Sequence, residues 1–207
     1  MDIFVPFDAH DPKSRLEPPL SAAERGSFAE AMLADVIDAI EATGHAPRVL
    51  STAPMDLSVP VLVDERPLTK AVNGLFKLTE GPVAIVMADL PLITPEAIDR
   101  LVSTDGEVVI APGVGGGTNA LIVRDRAFHV DFHGCSFRDH RTIAERAELT
   151  VATVDSYSLA CDIDEPADLA EVLLHSDGRA SRWLERQGIV ITESDEGRVT
   201  IERTTMD

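Results

Sequence analysis

The chain has 207 residues, 44% of them hydrophobic, which suffices for one α/β domain with its own core and excludes wholesale disorder. Its 36 acidic residues against 18 basic ones give a formal net charge of −18, a field that repels nucleic acid and anionic membranes and argues against both as partners. No apolar run approaches the roughly 20 residues of a membrane span, and Met1–Pro6 lacks the basic and long apolar regions of a signal peptide, so a cytoplasmic protein is expected. Lysine occurs only at 13, 70 and 77; such an acidic, lysine-poor surface suits high salt, where the Debye length falls to about 3 Å at 1 M. Cys135 and Cys161 make neither a disulfide framework nor a zinc site and read as free thiols, with Cys135 a small buried apolar side chain.

In chain order, Ile3–Phe7 is a short apolar strand, and 8–19 is a turn-prone charged stretch. Ser21-Ala22-Ala23-Glu24 is a capping box that opens a helix, with Phe28, Met32, Leu33, Val36, Ile37 and Ile40 at helical spacing and Gly44 as its stop. Strands are expected over Arg48–Ser51 and Val59–Val63, and a helix over Leu68–Leu78. Val83–Met87 is a continuous apolar run, the mark of a central parallel strand. Thr94-Pro95 starts the next helix, with threonine as cap and proline in the first turn. Glu107–Ala111 and Ala120–Val123 read as strands around the glycine-rich 113–117. Arg138–Ala147 is helical, Thr150–Val154 a strand and Pro166–Leu174 a helix. A final helix around Trp183 precedes two short strands joined near Glu196-Gly197. Strands alternating with helices predict a mostly parallel sheet with helices on both faces. Residues 1–207 are expected to form a single domain, with a small C-terminal appendage at about 176–207.

Ligands in such sheets bind beyond the carboxyl ends of the strands, so the residues just after each strand carry the functional reading. The most apolar strand delivers Ala88-Asp89-Leu90-Pro91. A carboxylate there is costly unless it is paired or binds metal, the plainer role being a turn cap. In Cys161-Asp162-Ile163-Asp164-Glu165-Pro166, Asp162 and Asp164 point the same way in an extended segment. One suits metal and the other the cap of the next helix; Asp162 is assigned to metal and Asp164 mainly to capping. Two or three oxygen ligands completed by water and phosphate is how Mg²⁺ is usually held. Lys13 and Arg15 offer a point charge and a planar fork to phosphates. Gly115-Gly116-Gly117-Thr118-Asn119 allows close backbone approach to a ligand, and no Gly-Lys-Ser/Thr follows to make it a Walker loop. The segment Phe132-His133-Gly134-Cys135-Ser136 presents amides and the Ser136 hydroxyl at a helix N-terminus, where a carboxylate or phosphate would sit. His140 could face either the site or solvent.

Asp11-Pro12-Lys13-Ser14-Arg15-Leu16, Asp89-Leu90-Pro91, Gly116-Gly117-Thr118-Asn119-Ala120-Leu121, Gly134–His140 and Asp162–Leu169 occur in that order. Together they resemble the CofC family, the 2-phospho-L-lactate guanylyltransferases of coenzyme F-420 biosynthesis, over about residues 1–175. The acidic composition looks like that of a halophilic archaeal member. The resemblance implies a Rossmann-like nucleotidyltransferase fold. It implies transfer of GMP from GTP to 2-phospho-L-lactate, giving lactyl-2-diphospho-5′-guanosine and pyrophosphate. Mapped onto this chain, Asp89 and Asp162 would hold Mg²⁺, and Thr118, Gly134 and Ser136 would cradle the acceptor acid. Lys13 and Arg15 would meet the GTP phosphates, and Asn73 would lie near the nucleotide, its plainer role being a polar residue on a helix face. A homodimer is a family expectation, with the apolar Trp183 region as its candidate surface. Two departures stand out: Phe132-His133 precedes Gly134 where the family often has an aromatic-glycine pair, and the loop after the first strand lacks glycine, unlike sugar nucleotidyltransferases. Rival readings are a nucleotidyltransferase acting on phosphoenolpyruvate, 3-phosphoglycerate or a sugar phosphate, and a nucleotide-binding protein without turnover.

Overall fold

The computed structural model describes residues 1–10, 12–193, 197 and 199–204. Asp11 of the Asp11–Leu16 motif and Glu196, where the last turn is expected, lie outside the described residues. Strands β1 (Asp2–Phe7), β2 (Pro47–Ser51), β3 (Val61–Val63), β4 (Val83–Val86), β5 (Val108–Pro112), β6 (Thr118–Val123) and β7 (Val151–Thr153) form one sheet in the order β3-β2-β1-β4-β6-β5-β7. All neighbours pair in parallel except β6, which is antiparallel to both β4 and β5. Thus the apolar run at Val83–Val86 is central, but parallel only on its β1 side. The reason is connection length: five residues separate β5 from β6, enough for a hairpin and too few for a crossover.

Side chains alternate across the sheet with period two. Ile3, Val5, Ala84, Val86, Val109 and Ile122 enter one core; Phe4, Val83, Ile85, Val108, Ile110 and Leu121 enter the other. The first core is covered by α1 (Ala22–Ala42), α3 (Pro95–Ser103), the single turn α5 (Tyr157–Ala160), α6 (Leu169–His175) and α7 (Arg179–Arg186). The second is covered by α2 (Leu68–Leu78) and α4 (Ser136–Arg146). Helices on both faces thus agree with the expected α/β class. The expected helix starts are also present: the Ser21–Glu24 capping box is formed in both directions, and Thr94 Oγ1 accepts from the Ala97 amide at 3.3 Å.

The C-terminal region divides in two. Trp183 of α7 is buried against Phe28 of α1, ring centroids 5.3 Å apart, so the apolar surface suggested for a homodimer is used inside the chain. Strands β8 (Ile189–Glu193) and β9 (Val199–Arg203) form a separate antiparallel ribbon. Arg203 ties the ribbon to α1 through the Glu24 carboxylate, whose pKa is held down to about 2 by the Arg203 and Ser21 hydrogen bonds. Glu24→Ala removes both the helix cap and the tether. It should cost about 1 kcal/mol, read as a lowered urea midpoint, with less of the loss visible as salt screens the exposed ion pair. An unchanged midpoint at low and high salt would show that neither contact matters.

Candidate active site

The strand order reverses at β1 and β4, and the loops leaving these two strands meet over the carboxyl edge of the sheet, where Lys13 and Asp89 join them. A crevice is expected there, and a cavity of about 630 Å³ occupies it. Its lining includes Phe7, Thr52, Asp64, Leu68 and Met87, together with Lys13, Arg15, Asp89 and Asp164. Lys13 comes from the loop after β1, in a left-handed conformation (φ 58°) that is uncommon outside glycine and costs of order 1 kcal/mol or more. That twist aims its ammonium across the switch point. Lys13 Nζ lies 2.5 Å from Asp89 Oδ2, in the loop after β4, and 2.8 Å from Asp164 Oδ1. Arg15 reaches the other Asp164 oxygen at 3.5 Å and is largely exposed. Burial works to lower the Lys13 pKa, but the charges of Asp89 and Asp164 outweigh it and hold the ammonium above its usual value.

Asp164 therefore serves this ion cluster, and its expected capping role falls to neighbours. Glu165 and Asp168 form the capping box at the Pro166–Asp168 turn, with Asp168 Oδ2 accepting from the Asp164 and Glu165 amides. The Ile163 amide donates to the Asp89 carbonyl at 3.1 Å, locking the two carboxylate-bearing loops together. Asp162 lies on the far side of that lock. Its carboxylate accepts from Asn119 Nδ2 at 3.0 Å, and Asn119 also donates to the Leu159 carbonyl. Burial raises the Asp162 pKa against the Asn119 hydrogen bond, and the nearby Asp89 and Asp164 charges raise it further.

These carboxylates fit a divalent cation in a particular way. Asp89 Oδ1 is buried without a hydrogen-bond partner, an arrangement that is costly unless a cation or water meets it. Among the described residues no three ligating side chains gather into a metal cage. A pair of carboxylates with phosphate and water completing the shell matches Mg²⁺ better than an all-protein site.

The acceptor residues implied by the sequence gather one step along the edge. Thr118 directly precedes Asn119 at the start of β6. Its hydroxyl lies 2.9 Å from Nδ1 of His140, one turn beyond Ser136 on α4. The Gly116 carbonyl accepts from the Phe137 amide, and a Cβ at Gly116 (φ +84°) would come within 3.0 Å of Cys135 Sγ, so the glycine loop and the start of α4 are packed together. Gly134 takes a left-handed φ of 56° just before this helix, while Ser136 is buried in its first turn. Cys135 is exposed, not buried as expected; Cys161 is the buried thiol, and both are free.

Asn73 does not join either group. Both ends of its amide are bound to the Val130 backbone, at 2.9 and 3.0 Å; like Asp162, Thr118, Gly134 and Ser136, it lies outside the cavity lining. Its place is to hold the 128–132 segment onto α2. Conversely, sequence reasoning left the partners of Asn119 and His140 open, and the fold joins them to Asp162 and Thr118. The available signal was a polar side chain inside the otherwise apolar run of β6, and a histidine at the spacing that shares a helix face with Ser136.

Residues 1–204 match the family described as "Guanylyl transferase CofC like". The chain belongs to the CofC-like guanylyl transferase family. CofC-like relatives named 2-phospho-L-lactate guanylyltransferase share 56% identity over 98% of this chain in both Halomicrobium mukohataei and Natronomonas pharaonis, covering 100% and 99% of those proteins. The namesake from Haloferax volcanii is 52% identical, covering 96% of this chain and 97% of its own. Solved structures share the fold at low identity. A candidate nucleotide-diphospho-sugar transferase from Desulfovibrio desulfuricans G20 superposes with TM-score 0.71 at 14% identity, covering 90% of this chain and 96% of that one. CMP:2-keto-3-deoxy-manno-octonic acid synthetase complexed with CTP gives 0.57 at 13%, with 89% and 98% covered. The CofC-like fold is therefore the Rossmann-like nucleotidyltransferase fold expected from the sequence. Among the described residues no helix is long and apolar enough to cross a membrane.

His140 carries a pH signature. It is fully buried, and burial lowers its pKa to about 4, with Asp131 and Asp139 opposing and His129 adding to the shift. An unfolded chain's histidine takes up its proton near 6.5, so between pH 6.5 and 4 the unfolded state binds more protons than the native state. Stability due to this group is present above 6.5, falls as pH drops through the window, and levels off below about 4. Urea midpoints against pH should show that decline in the wild type and a shallower one in His140→Asn. Parallel curves would remove His140 as the source.

Proposed function

We propose that this protein transfers GMP from GTP to 2-phospho-L-lactate, releasing pyrophosphate, as a cytoplasmic enzyme of coenzyme F-420 biosynthesis. The observation that carries the reading is the Lys13 ammonium bridging Asp89 and Asp164 across the switch point, at the floor of a cavity of nucleotide size. The names of its relatives specify the reaction. GTP would lie in the cavity with its phosphates over Lys13 and Arg15. The acceptor acid would sit by Thr118, Gly134 and Ser136. Asp89 and Asp162 would hold Mg²⁺, whose chemistry there would be neutralisation of phosphate charge.

An acceptor phosphate oxygen forms the new bond to the α-phosphorus. The bond to the oxygen bridging to the β-phosphate breaks, and pyrophosphate leaves with that electron pair. A phosphate dianion has no proton to lose, so the chain needs no general base. Its residues supply alignment and charge: Lys13 and Arg15 draw the leaving phosphates, while the Ile163–Asp89 backbone bond and the Asn119–Asp162 bond fix the two carboxylates beside them.

Pyrophosphate release by the purified protein tests this, in high salt with Mg²⁺ and GTP and with 2-phospho-L-lactate, phosphoenolpyruvate and 3-phosphoglycerate in parallel. Release with 2-phospho-L-lactate supports the full reading. Release with another acid keeps the reaction class and changes the acceptor. Release with none, from folded protein, overturns it.

A further inference from the structure

We infer that His140 is a positioning residue that fixes the direction of the Thr118 hydroxyl, so that its proton faces the acceptor anion; this rests on the acceptor site proposed above. The argument starts from Asp131, whose backbone amide lies 3.0 Å from His140 Nε2. A backbone amide only donates, so Nε2 must present its lone pair. The ring is fully buried, with Phe128 and Phe132 set edge-on to it at 5.9 and 5.1 Å, an environment that keeps imidazole neutral. A neutral imidazole has one N–H, which must then be on Nδ1. At 2.9 Å, Nδ1–H donates to Thr118 Oγ1.

The consequence falls on Thr118. Its oxygen accepts from histidine, so its own O–H remains for another partner, and among the described residues no hydrogen bond uses it. With the opposite tautomer, Thr118 would spend its proton on Nδ1 and turn lone pairs towards an incoming carboxylate or phosphate, which repels an anion. The Asp131 amide thus sets the polarity of a hydroxyl next to Asn119 and the metal carboxylates, relayed by one buried ring. It also links the 128–133 segment, anchored by Asn73, to the acceptor subsite. A histidine there serves without touching the reacting atoms.

Two measurements test the inference. Long-range ¹H–¹⁵N correlation at neutral pH should show His140 as the Nδ1–H tautomer; an Nε2–H ring or an imidazolium overturns the proposal whatever the enzyme's substrate is. In kinetics, Thr118→Val and His140→Ala should each raise the acceptor KM about ten- to hundredfold, the range of a hydrogen bond to a charged group. The GTP KM should stay within about twofold, and the double variant should be little worse than either single one. His140→Asn, whose amide nitrogen replaces Nδ1, should recover much of the loss, whereas His140→Gln should not. Should His140→Ala fail to fold, the Asn and Gln pair makes the same comparison. Acceptor and GTP KM rising together, or additive losses, would reduce His140 to a packing role. A folded wild type that uses no phosphorylated acid overturns the functional reading and this inference with it, whereas turnover with an acceptor KM indifferent to His140 overturns the inference alone.

Discussion

Asp89→Asn is expected to lower kcat at least about a hundredfold, the loss typical of a damaged metal site, in a protein that still folds. The substitution keeps the shape of the side chain and removes its charge. Its oxygen can still accept from Lys13, and Lys13 keeps Asp164 as a full ionic partner, so the ion cluster survives in weakened form. The buried Oδ1 position has no partner to lose among the described residues. What disappears is one of the two carboxylates proposed to hold the metal, and with it the negative charge that would attract a divalent cation to the phosphates. A hundredfold loss corresponds to about 2.7 kcal/mol of transition-state stabilisation, far beyond what a neutral change at an exposed loop would produce. Steady-state pyrophosphate release over a Mg²⁺ titration, with circular dichroism melts as a control, decides the matter. Near-wild-type turnover would take Asp89 out of the metal site; a variant without a native melt would make its role structural.

Most of the scaffold behind this prediction was legible from local pattern. The amphipathic spacing of Leu68–Leu78, the capping box at Ser21–Glu24 and the Thr94-Pro95 start are short-range signals, and the helices form where those signals lie. The direction of β6 was not read, although the five-residue link from β5 contained it. Long-range pairing was beyond local pattern. Asp164 looked like a cap because proline follows two residues later. Its actual partner is Lys13, 151 residues away, and no periodicity reports such a contact. Asn73 and Val130 are 57 residues apart, so an amide that could serve a nucleotide is instead consumed by backbone. Trp183 looked available for a partner because its contact with Phe28 spans about three quarters of the chain. That Asp89 needs a partner was legible, since a charge at the end of a buried strand is costly unless paired; that Lys13 is that partner required the fold.

Lys13→Ala should separate the two roles of the ammonium. For catalysis, with Lys13 drawing the leaving phosphates as proposed, its removal should lower kcat/KM for GTP by about a hundredfold or more. For the free protein, it leaves Asp89 and Asp164 without the positive charge between them, with the Asp162 carboxylate nearby. Breaking a fully buried pair costs about 3–5 kcal/mol. Asp164 is 42% exposed and Lys13 only 11%, so solvent takes up part of that, and a loss of about 2 kcal/mol is the expectation. The ammonium sits on Asp89 Oδ2, so its charge would oppose a divalent cation meeting the unpartnered Oδ1 of the same carboxylate. Without it, added Mg²⁺ should raise the melting temperature of Lys13→Ala more than that of the wild type, even with no nucleotide present. Lys13→Arg should not restore turnover, because a planar fork cannot place one nitrogen between two carboxylates as a point charge does. The melting experiment needs no catalysis, so it judges the carboxylate site independently of the acceptor. Equal Mg²⁺ shifts in both proteins would mean that Lys13 and the cation do not share Asp89, and that the metal, if bound, sits elsewhere on this edge of the sheet.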